Sequence, residues 1–341
     1  MKTSTKSSFM FKRREFLKVM ASLPFIGSLA AASIEKNNRD SYEERNLVDA
    51  RISGTVLKPP DHIDPDQLKG KIPHAKIKGL EMSRMIMGGN LIGGWAHSRD
   101  LLYVSDLVKT YHTEDKIFKT FQMAENCGIN TLITNPVLCP VLQKYWNLGG
   151  KIQFISDGGW NYREDIQKSI DAGASACYVH GGRADALVKE GNLDEIAWAL
   201  DLIRKNGIPA GIGSHELGTI KKCISNGLIP DFWMKTLHKT SYWSARIDSE
   251  RKTTLDEGFA DNIFCQNPDE TISFMNKLEQ PWIAFKILAA GAIQPQDAFQ
   301  WAFEQGADFI CVGMFDFQMI DNVNLACEIL RQDIQRNRPW R

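Results

Sequence analysis

Asn126-Cys127-Gly128-Ile129-Asn130 joins the end of a helical pattern directly to a short apolar stretch, and this join recurs along the chain. A glycine just past a helix adopts the left-handed conformation that ends the helix. Helices that alternate with short apolar strands are typical of parallel β/α architecture. The other instances are Asp171-Ala172-Gly173-Ala174-Ser175, Lys205-Asn206-Gly207-Ile208-Pro209, Ser225-Asn226-Gly227-Leu228-Ile229-Pro230 and Glu304-Gln305-Gly306-Ala307-Asp308.

Eight strands are predicted by this repeat and by the apolar runs between the joins. They cover residues 84–90, 129–135, 151–157, 175–180, 209–215, 231–237, 282–288 and 308–314. Helix starts are indicated by Asn192, by Asn267-Pro268 and by Pro295. Eight such units in roughly 260 residues have the size of a (β/α)8 TIM barrel. An open doubly wound sheet is the alternative fold, but Gly88-Gly89-Asn90-Leu91-Ile92-Gly93-Gly94 does not fit the GxGxxG loop that it requires.

The composition excludes several classes of protein. The chain has 341 residues, with 41 Lys and Arg against 41 Asp and Glu, so its formal net charge is zero. A neutral chain has no basic field for a nucleic-acid backbone, and we expect no nucleic-acid partner. The 17 Phe and 9 Trp residues can bury a large core, which argues against disorder. Seven cysteines without a CxxC pair indicate neither a disulfide framework nor a zinc ribbon.

Residues 1–33 have the pattern of a signal peptide. Lys12-Arg13-Arg14-Glu15-Phe16-Leu17-Lys18 precedes an apolar run, Val19 to Ala32, that ends in three alanines. The arginine pair resembles the twin-arginine export motif. We therefore expect the twin-arginine export machinery as a partner and a periplasmic or secreted location. A general secretory signal and an N-terminal anchor are the alternatives.

The remaining chain divides into an arm and one domain. Residues 34–75 are polar and rich in proline, which predicts a linker or arm. Residues 76–341 form the predicted barrel, and we expect no stable membrane insertion once the signal is cleaved.

Polar side chains are predicted to gather where the strands end, which is where barrels carry their chemistry. Strand side chains alternate between two faces, and the bulkiest residues of each strand were assigned to the helix side. On this basis Phe285 and Ile287 face outward and Lys286 faces inward, whereas the parity of 231–237 is ambiguous. The inward residues at the strand ends are Asn90, Asn135, Asp157, His180, His215 and Lys286, with Lys235 and His238 as further candidates. Of these, we expect Asn90, Asn135 and His238 to bind substrate.

The last third of the chain resembles class I aldolases of the deoxyribose-phosphate type. Phe232-Trp233-Met234-Lys235-Thr236 is similar to the strand that carries the Schiff-base lysine, and the run from Phe285 to Ile293 is similar to the strand with the second lysine. The resemblance implies Lys235 as the nucleophile and Lys286 as the cation that lowers its pKa. Asp157, His180 or His215 would move protons. Ala290-Gly291-Ala292 departs from the family's phosphate loop, so a phosphorylated substrate is not implied.

The start of the barrel resembles the aldo-keto reductases. Ile77 to Gly89 is similar to their opening hairpin and first strand, and His180 stands at the position of a family histidine. However, Asn135 replaces an aspartate of that family, and Asp157 stands where a lysine is expected. The resemblance therefore implies shared barrel ancestry rather than reductase activity.

A divalent metal is the alternative to lysine chemistry. His180, His215, Glu216 and His238 supply ligand types that metal-dependent barrel isomerases and hydrolases use. Otherwise no cofactor is predicted.

Aromatic and basic residues in the loops after the strands predict a substrate pocket. Trp95, His97, Trp243 and Arg246 fall in these loops, and Trp160 follows 151–157. Trp faces often stack on sugar rings, and Arg can bind a carboxylate.

We expect a lyase of the lysine-dependent aldolase type, acting on a small carbonyl or sugar-derived molecule in carbohydrate metabolism. A metal-dependent sugar isomerase or hydrolase is one alternative. A non-catalytic periplasmic sugar-binding barrel is the other.

Overall fold

A computed structural model describes residues 65–97, 101, 103–242, 244–245 and 264–341. The predicted signal segment, most of the predicted arm, Trp243 and Arg246 lie outside these residues. The first regular structure is an antiparallel hairpin of β1 (His74–Ile77) and β2 (Leu80–Ser83). Lys78 and Gly79 turn between the two strands with positive φ angles.

The predicted TIM barrel is confirmed. Eight parallel strands form a closed sheet in which each strand pairs with the next and the last pairs with the first. All eight predicted strands are present, each slightly shorter than the predicted stretch. They are β3 (Met85–Gly88), β4 (Thr131–Thr134), β5 (Gln153–Ser156), β6 (Ala176–Val179), β7 (Ala210–Ser214), β8 (Phe232–Thr236), β9 (Trp282–Phe285) and β10 (Phe309–Val312).

Helices surround the sheet and alternate with its strands. Asn267 caps the helix Pro268–Met275 by accepting the backbone N–H of Glu270, and Pro295 occupies the first turn of the helix Pro295–Glu304, as predicted. No helix in the part of the chain that the structure describes has the length and apolar character of a membrane span. The helices are α1 (Val104–Tyr111), α2 (Glu114–Asn126), α3 (Cys139–Asn147), α4 (Tyr162–Asp171), α5 (Gly181–Glu190), α6 (Leu193–Lys205), α7 (Leu217–Ser225), α8 (Pro268–Met275), α9 (Pro295–Glu304) and α10 (Asp316–Arg331).

Two apolar layers pack on the two faces of the sheet. One layer fills the space between strands and helices and includes Leu132, Val179 and Trp233. The other fills the barrel and consists of Ile77, Met82, Ile86, Ile133, Ile155, Ala176, Tyr178, Phe232, Met234, Ile283 and Phe309. Because Ile77 and Met82 come from the hairpin, β1 and β2 close the end of the barrel opposite the carboxyl ends of the strands.

The predicted orientation of Phe285 was wrong. Its ring packs with the residues inside the barrel rather than with the helices. Large side chains do not mark the outer face throughout, because Gly211 and Gly213 on β7 leave room inside the barrel for the rings of Phe232 and Tyr178. A Cβ at Gly211 would lie 2.5 Å from ring atoms of Phe232. The ambiguous parity of β8 is thereby settled, since Phe232 and Met234 lie inside and Trp233 lies outside.

Candidate active site

The polar rim of the barrel is assembled from residues that directly follow the strands. Asp157 follows β5, and its carboxylate accepts hydrogen bonds from the Asn135 side chain (3.1 Å) and the Gly159 backbone N–H (2.9 Å). His180 follows β6 and His215 follows β7. Because β5, β6 and β7 are neighbours in the sheet, these side chains lie on adjacent strand ends.

Lys286 reaches this rim through an unusual backbone conformation. It follows β9 directly after the inward-facing Phe285, so simple alternation would turn it toward the helices. Its φ is +58°, in the left-handed region that non-glycine residues seldom adopt. This turn brings Lys286 Nζ to 3.1 Å from Nε2 of His215. The predicted inward position of Lys286 is therefore right, but for a reason that differs from strand alternation.

His215 connects Lys286 to a buried carboxylate on α5. Its Nδ1 lies 3.1 Å from Oδ2 of Asp185, and its backbone N–H donates to the same oxygen at 2.9 Å. An ionised carboxylate can only accept, so Nδ1 carries the imidazole proton. Nε2 of the neutral ring is then an acceptor, and Lys286 donates to it. The order Asp185, His215, Lys286 thus forms a continuous hydrogen-bonded row.

Burial sets the charge of this row. The pKa of Lys286 falls from 10.5 to about 7, chiefly through burial and with a smaller contribution from Lys235, against the opposing effect of Asp185. Burial and the neighbouring Lys286 also lower the pKa of His215 to about 4, against the opposing effect of Asp185. At neutral pH His215 is therefore uncharged, and a large fraction of Lys286 is a free amine.

Lys235 has a different environment. Alternation along β8 puts it on the same face as Trp233, toward the helices, and its side chain is only 1% exposed. Its Nζ donates to the carbonyl of His215 (2.7 Å) and to the carbonyl and hydroxyl of Thr236 (3.0 and 2.7 Å). All three N–H groups of a protonated amine are thereby used. Burial lowers the pKa of Lys235 as well, but its amine is held by these acceptors.

Asp157 and His180 form a second group of titratable side chains at the rim. Burial raises the pKa of Asp157, with His180 opposing, and burial lowers the pKa of His180, with Asp157 opposing. Nδ1 of His180 is buried and has no hydrogen-bond partner. Trp160 lies beside this histidine, with ring centroids 6.0 Å apart and ring planes at 65°, and it is 64% exposed.

His97 and Asn90, both predicted to bind substrate, lie at the same rim. Asn90 Nδ2 and His97 Nε2 are 3.4 Å apart. Burial lowers the pKa of His97 well below its ordinary value, and the proximity of Lys286 and His215 adds to the effect. The ring of Phe264 contacts both His97 and Lys286, with its centroid 4.9 Å from that of His97 and 4.0 Å from Lys286 Nζ. The lysine amine thus lies on an aromatic face.

His238 holds Phe264 in place. Its Nε2 accepts the backbone N–H groups of Phe264 and Cys265, each at 2.9 Å, and its Nδ1 lies 2.9 Å from the carbonyl of Lys239. Both ring nitrogens are therefore engaged with the backbone. His238 was predicted to bind substrate or metal. In the structure it binds the backbone of Phe264 and Cys265, and the Phe264 ring lies against Lys286.

The alternative metal ligands are not brought together. Among the described residues, which include His180, His215, Glu216 and His238, no three His, Cys, Asp or Glu side chains group in a way that could hold a metal ion.

Of the predicted aromatic residues, Trp95 is 42% exposed in the loop after β3.

Two residues that shape the site were not predicted from the sequence. Asp185 lies inside α5 and Phe264 lies between β8 and α8 in the chain, so neither directly follows a strand. The signal for Asp185 was its spacing, because it lies five residues after His180 on a helix that begins at the rim.

Comparison with known proteins supports the fold. No family model matches the chain, and no curated protein matches it. A protein of Pseudomonas aeruginosa described as an aldo-keto reductase has a similar structure, with a TM-score of 0.51 and 16% identity over 78% of this chain and 99% of that one. This similarity defines the class of the protein as a (β/α)8 barrel and reaches no further than the fold.

Weaker similarities extend to other barrels. A truncated 3-deoxy-D-arabino-heptulosonate 7-phosphate synthase from Thermotoga maritima has a TM-score of 0.44 at 11% identity, over 76% of this chain and 92% of that one. An N-acetylneuraminic acid synthetase from Leptospira borgpetersenii has a TM-score of 0.44 at 9% identity, over 80% of this chain and 94% of that one.

Proposed function

We propose that this barrel is a lyase that forms a Schiff base between Lys286 and a small carbonyl substrate. The observation that carries the proposal is the 3.1 Å contact between Lys286 Nζ and His215 Nε2. A lysine attacks a carbonyl only as the neutral amine, and burial supplies that form near pH 7.

The geometry supports Lys286, rather than Lys235, as the nucleophile. Lys235 is almost fully buried, faces the helices and donates to three oxygens. Lys286 is partly exposed at the rim and lies next to a neutral imidazole. The roles that the aldolase resemblance implies are therefore exchanged, because Lys235 is the neighbour that helps to lower the pKa of Lys286.

The proton transfers can be assigned to groups at the rim. When Lys286 adds to the carbonyl, one of its two hydrogens moves to the former carbonyl oxygen, and His215 can relay that proton. A second proton from an acid converts this oxygen to water, which leaves and gives a protonated Schiff base. Asp157 is a suitable acid because burial raises its pKa and thereby favours its neutral form.

The Schiff base then serves as an electron sink. A base removes the proton from a hydroxyl group on the carbon β to the imine carbon, and the bond between the α and β carbons breaks. The β carbon leaves as the carbonyl of the first product, and the electron pair of the broken bond forms the enamine as the imine π electrons move to nitrogen. Asp157, ionised after the first step, or the neutral His180 can take that proton. Protonation of the resulting enamine and addition of water release the second product and restore the amine.

The loops around the rim support a substrate with an apolar face and polar edges. Trp160 is largely exposed beside His180, and Trp95 is exposed in the loop after β3. A sugar-derived aldehyde or ketone has this character. We also propose export of the folded protein, which rests on the arginine pair and the apolar run of residues 12–32.

Reductive trapping tests the proposal. The full chain is incubated with glycolaldehyde, glyceraldehyde or dihydroxyacetone and sodium cyanoborohydride, and the adduct is located by peptide mass spectrometry. We expect the adduct at Lys286 and its loss in Lys286→Met, while Lys221→Met, which removes an exposed lysine paired with Glu270, retains it. An adduct at Lys235, or turnover that survives Lys286→Met, would refute the assignment. One bound divalent ion per chain together with chelator-sensitive turnover would favour the metal alternative.

A further inference from the structure

We infer that Asp185 is a positioning residue that, through His215, fixes the direction in which the Lys286 amine donates and holds its lone pair toward the barrel mouth. The inference rests on the proposed function in one respect, namely that Lys286 is the reactive amine. Nothing in the aldolase or reductase resemblance involves this helix position.

Asp185 contacts His215 at two atoms, one on the backbone and one on the ring. Oδ2 accepts both the backbone N–H and the ring Nδ1–H of His215, at 2.9 and 3.1 Å. Oδ1 accepts the hydroxyl of Ser214 at 2.7 Å. The carboxylate is only 3% exposed, so it is held without competition from water. Backbone and ring of His215 are therefore fixed relative to each other.

The imidazole is also confined by packing. A Cβ at Gly181, the first residue of α5, would lie 3.1 Å from Cε1 and 3.2 Å from Nδ1 of His215. On another side the ring of Phe285 meets it at a centroid distance of 5.4 Å and an angle of 63°. The absence of a side chain at Gly181 leaves room for the ring close to the start of the helix that carries Asp185.

The tautomer of His215 determines how the Lys286 amine is hydrogen-bonded. With the proton held on Nδ1, Nε2 always presents a lone pair, so the amine must use one N–H to satisfy it. A rotated or inverted imidazole would instead donate to the amine and occupy the lone pair that attacks the carbonyl. Asp185 thus keeps the nucleophilic lone pair available at every turnover.

The charge of Asp185 acts in addition to its geometry. It is the ionised partner of the row, because hydrogen bonds from His215 and Ser214 outweigh burial and lower its pKa. It stabilises the protonated form of Lys286, which burial and Lys235 disfavour. The titratable groups that influence Lys286 or are influenced by it, within the described ranges, are His97, His180, Asp185, His215 and Lys235.

Asp185→Asn separates the charge of Asp185 from its hydrogen bonds to His215. The amide oxygen can still accept both N–H groups of His215, and the amide nitrogen can donate to Ser214, but the charge is gone. Asp231→Asn is the matched control, since Asp231 is also a buried carboxylate that accepts a backbone N–H (Ala210, 2.9 Å) and an arginine (Arg204, 3.0 Å), yet it lies at the opposite end of β8. Both variants are checked for folding by circular dichroism.

The measurement is competitive acetylation of Lys286 by trace acetic anhydride between pH 5 and 10, read by peptide mass spectrometry. Only the neutral amine reacts, so the midpoint of the profile reports the pKa of Lys286 without any carbonyl substrate. We expect the midpoint to fall by about one pH unit in Asp185→Asn, which makes labelling at pH 6 about fivefold faster, and to stay unchanged in Asp231→Asn. Equal profiles for Asp185→Asn and wild type, or an equal shift in both variants, would overturn the inference.

The wild-type protein provides a second test that does not depend on a variant folding. Nitrogen-15 NMR of labelled histidine distinguishes a protonated Nδ1 from a protonated Nε2, and His215→Gln assigns the signal. We expect a neutral ring with the proton on Nδ1 at pH 7, and a proton on Nε2 contradicts the inference. If the labelling midpoint shifts as expected but no carbonyl is ever trapped, Asp185 keeps its role toward the amine and the proposed lyase function fails.

Discussion

Replacing Lys286 with Met is expected to stabilise the protein at neutral pH while it abolishes the proposed chemistry. Met has a similar volume and no charge to desolvate, whereas Lys286 must be protonated in a site where burial disfavours the ammonium. Active-site groups often reduce stability in this way, because they are placed for reactivity rather than for packing.

The magnitude follows from the pKa of Lys286. A fall from 10.5 to about 7 corresponds, at ~1.4 kcal/mol per pH unit, to a ceiling of ~5 kcal/mol for the cost of the charge. Because the amine is partly exposed, solvent screens part of this cost, and we expect Lys286→Met to raise the free energy of unfolding by about 2–4 kcal/mol at pH 6.

The pH dependence has a definite sign. Between about pH 7 and 10.5 the unfolded chain binds more protons at this residue than the folded chain, so wild-type stability rises with pH in this window. The cost of the charge is complete below pH 7 and absent above 10.5. The advantage of Lys286→Met over wild type should therefore fall by more than half between pH 6 and pH 9.

Urea unfolding followed by tryptophan fluorescence at pH 6, 7, 8 and 9 measures this difference, with a second probe to verify two-state behaviour. Lys221→Met is the control, because an exposed lysine should give a small difference that is independent of pH. An advantage of Lys286→Met that is equally large at pH 6 and pH 9, or no advantage at all, would show that the pKa of Lys286 is not lowered and would refute the reasoning.

Three further predictions concern the fold and the rim. Asp308→Ala should lower the free energy of unfolding by about 3–5 kcal/mol in urea titrations, because it leaves the buried guanidinium of Arg338 (3.1 Å from Asp308) without this carboxylate. Asp115→Ala removes an exposed ion pair and should change the free energy of unfolding by less than about 0.5 kcal/mol. His238→Ala should cost about 2–3 kcal/mol in the same assay by leaving two buried backbone N–H groups without an acceptor, and an unchanged midpoint would contradict the role given to that ring. Trp160→Ala should change the free energy of unfolding by less than about 0.5 kcal/mol but raise about fivefold the KM for the sugar-derived aldehyde that the protein turns over. An unchanged KM would show that Trp160 does not contact the substrate.

The fold was predictable because its signals are local and repeated. Each join such as Asn126-Cys127-Gly128-Ile129-Asn130 puts a glycine with positive φ just past a helix, as at Gly128 (φ +86°) and Gly306 (φ +107°). The joins and the apolar runs fix the order of strands and helices, and the number of units fixes the closure of the barrel. Which side chains fill the barrel was less predictable, since the inward position of Phe232 depends on the space left by Gly211 on the preceding strand.

The site was predictable only where it coincides with strand ends. Asp157, His180 and His215 follow their strands directly, so alternation and the barrel rule were enough to place them. Lys286 reaches His215 through a left-handed backbone that no residue pattern announces. Asp185 enters from a helix, and the hydrogen bonds of Lys235 depend on backbone carbonyls, which carry no sequence signal.

The most direct test of the central claim is the titration of the Lys286 amine itself. Carbon-13 NMR of lysine labelled at Cε, with the signal assigned by its loss in Lys286→Met, follows this one amine between pH 5 and 11. We predict a midpoint near pH 7, because burial and the neighbouring Lys235 lower the pKa of this amine. A midpoint near the ordinary 10.5 would contradict it, because Lys286 would then be a protonated surface lysine with no special capacity to attack a carbonyl.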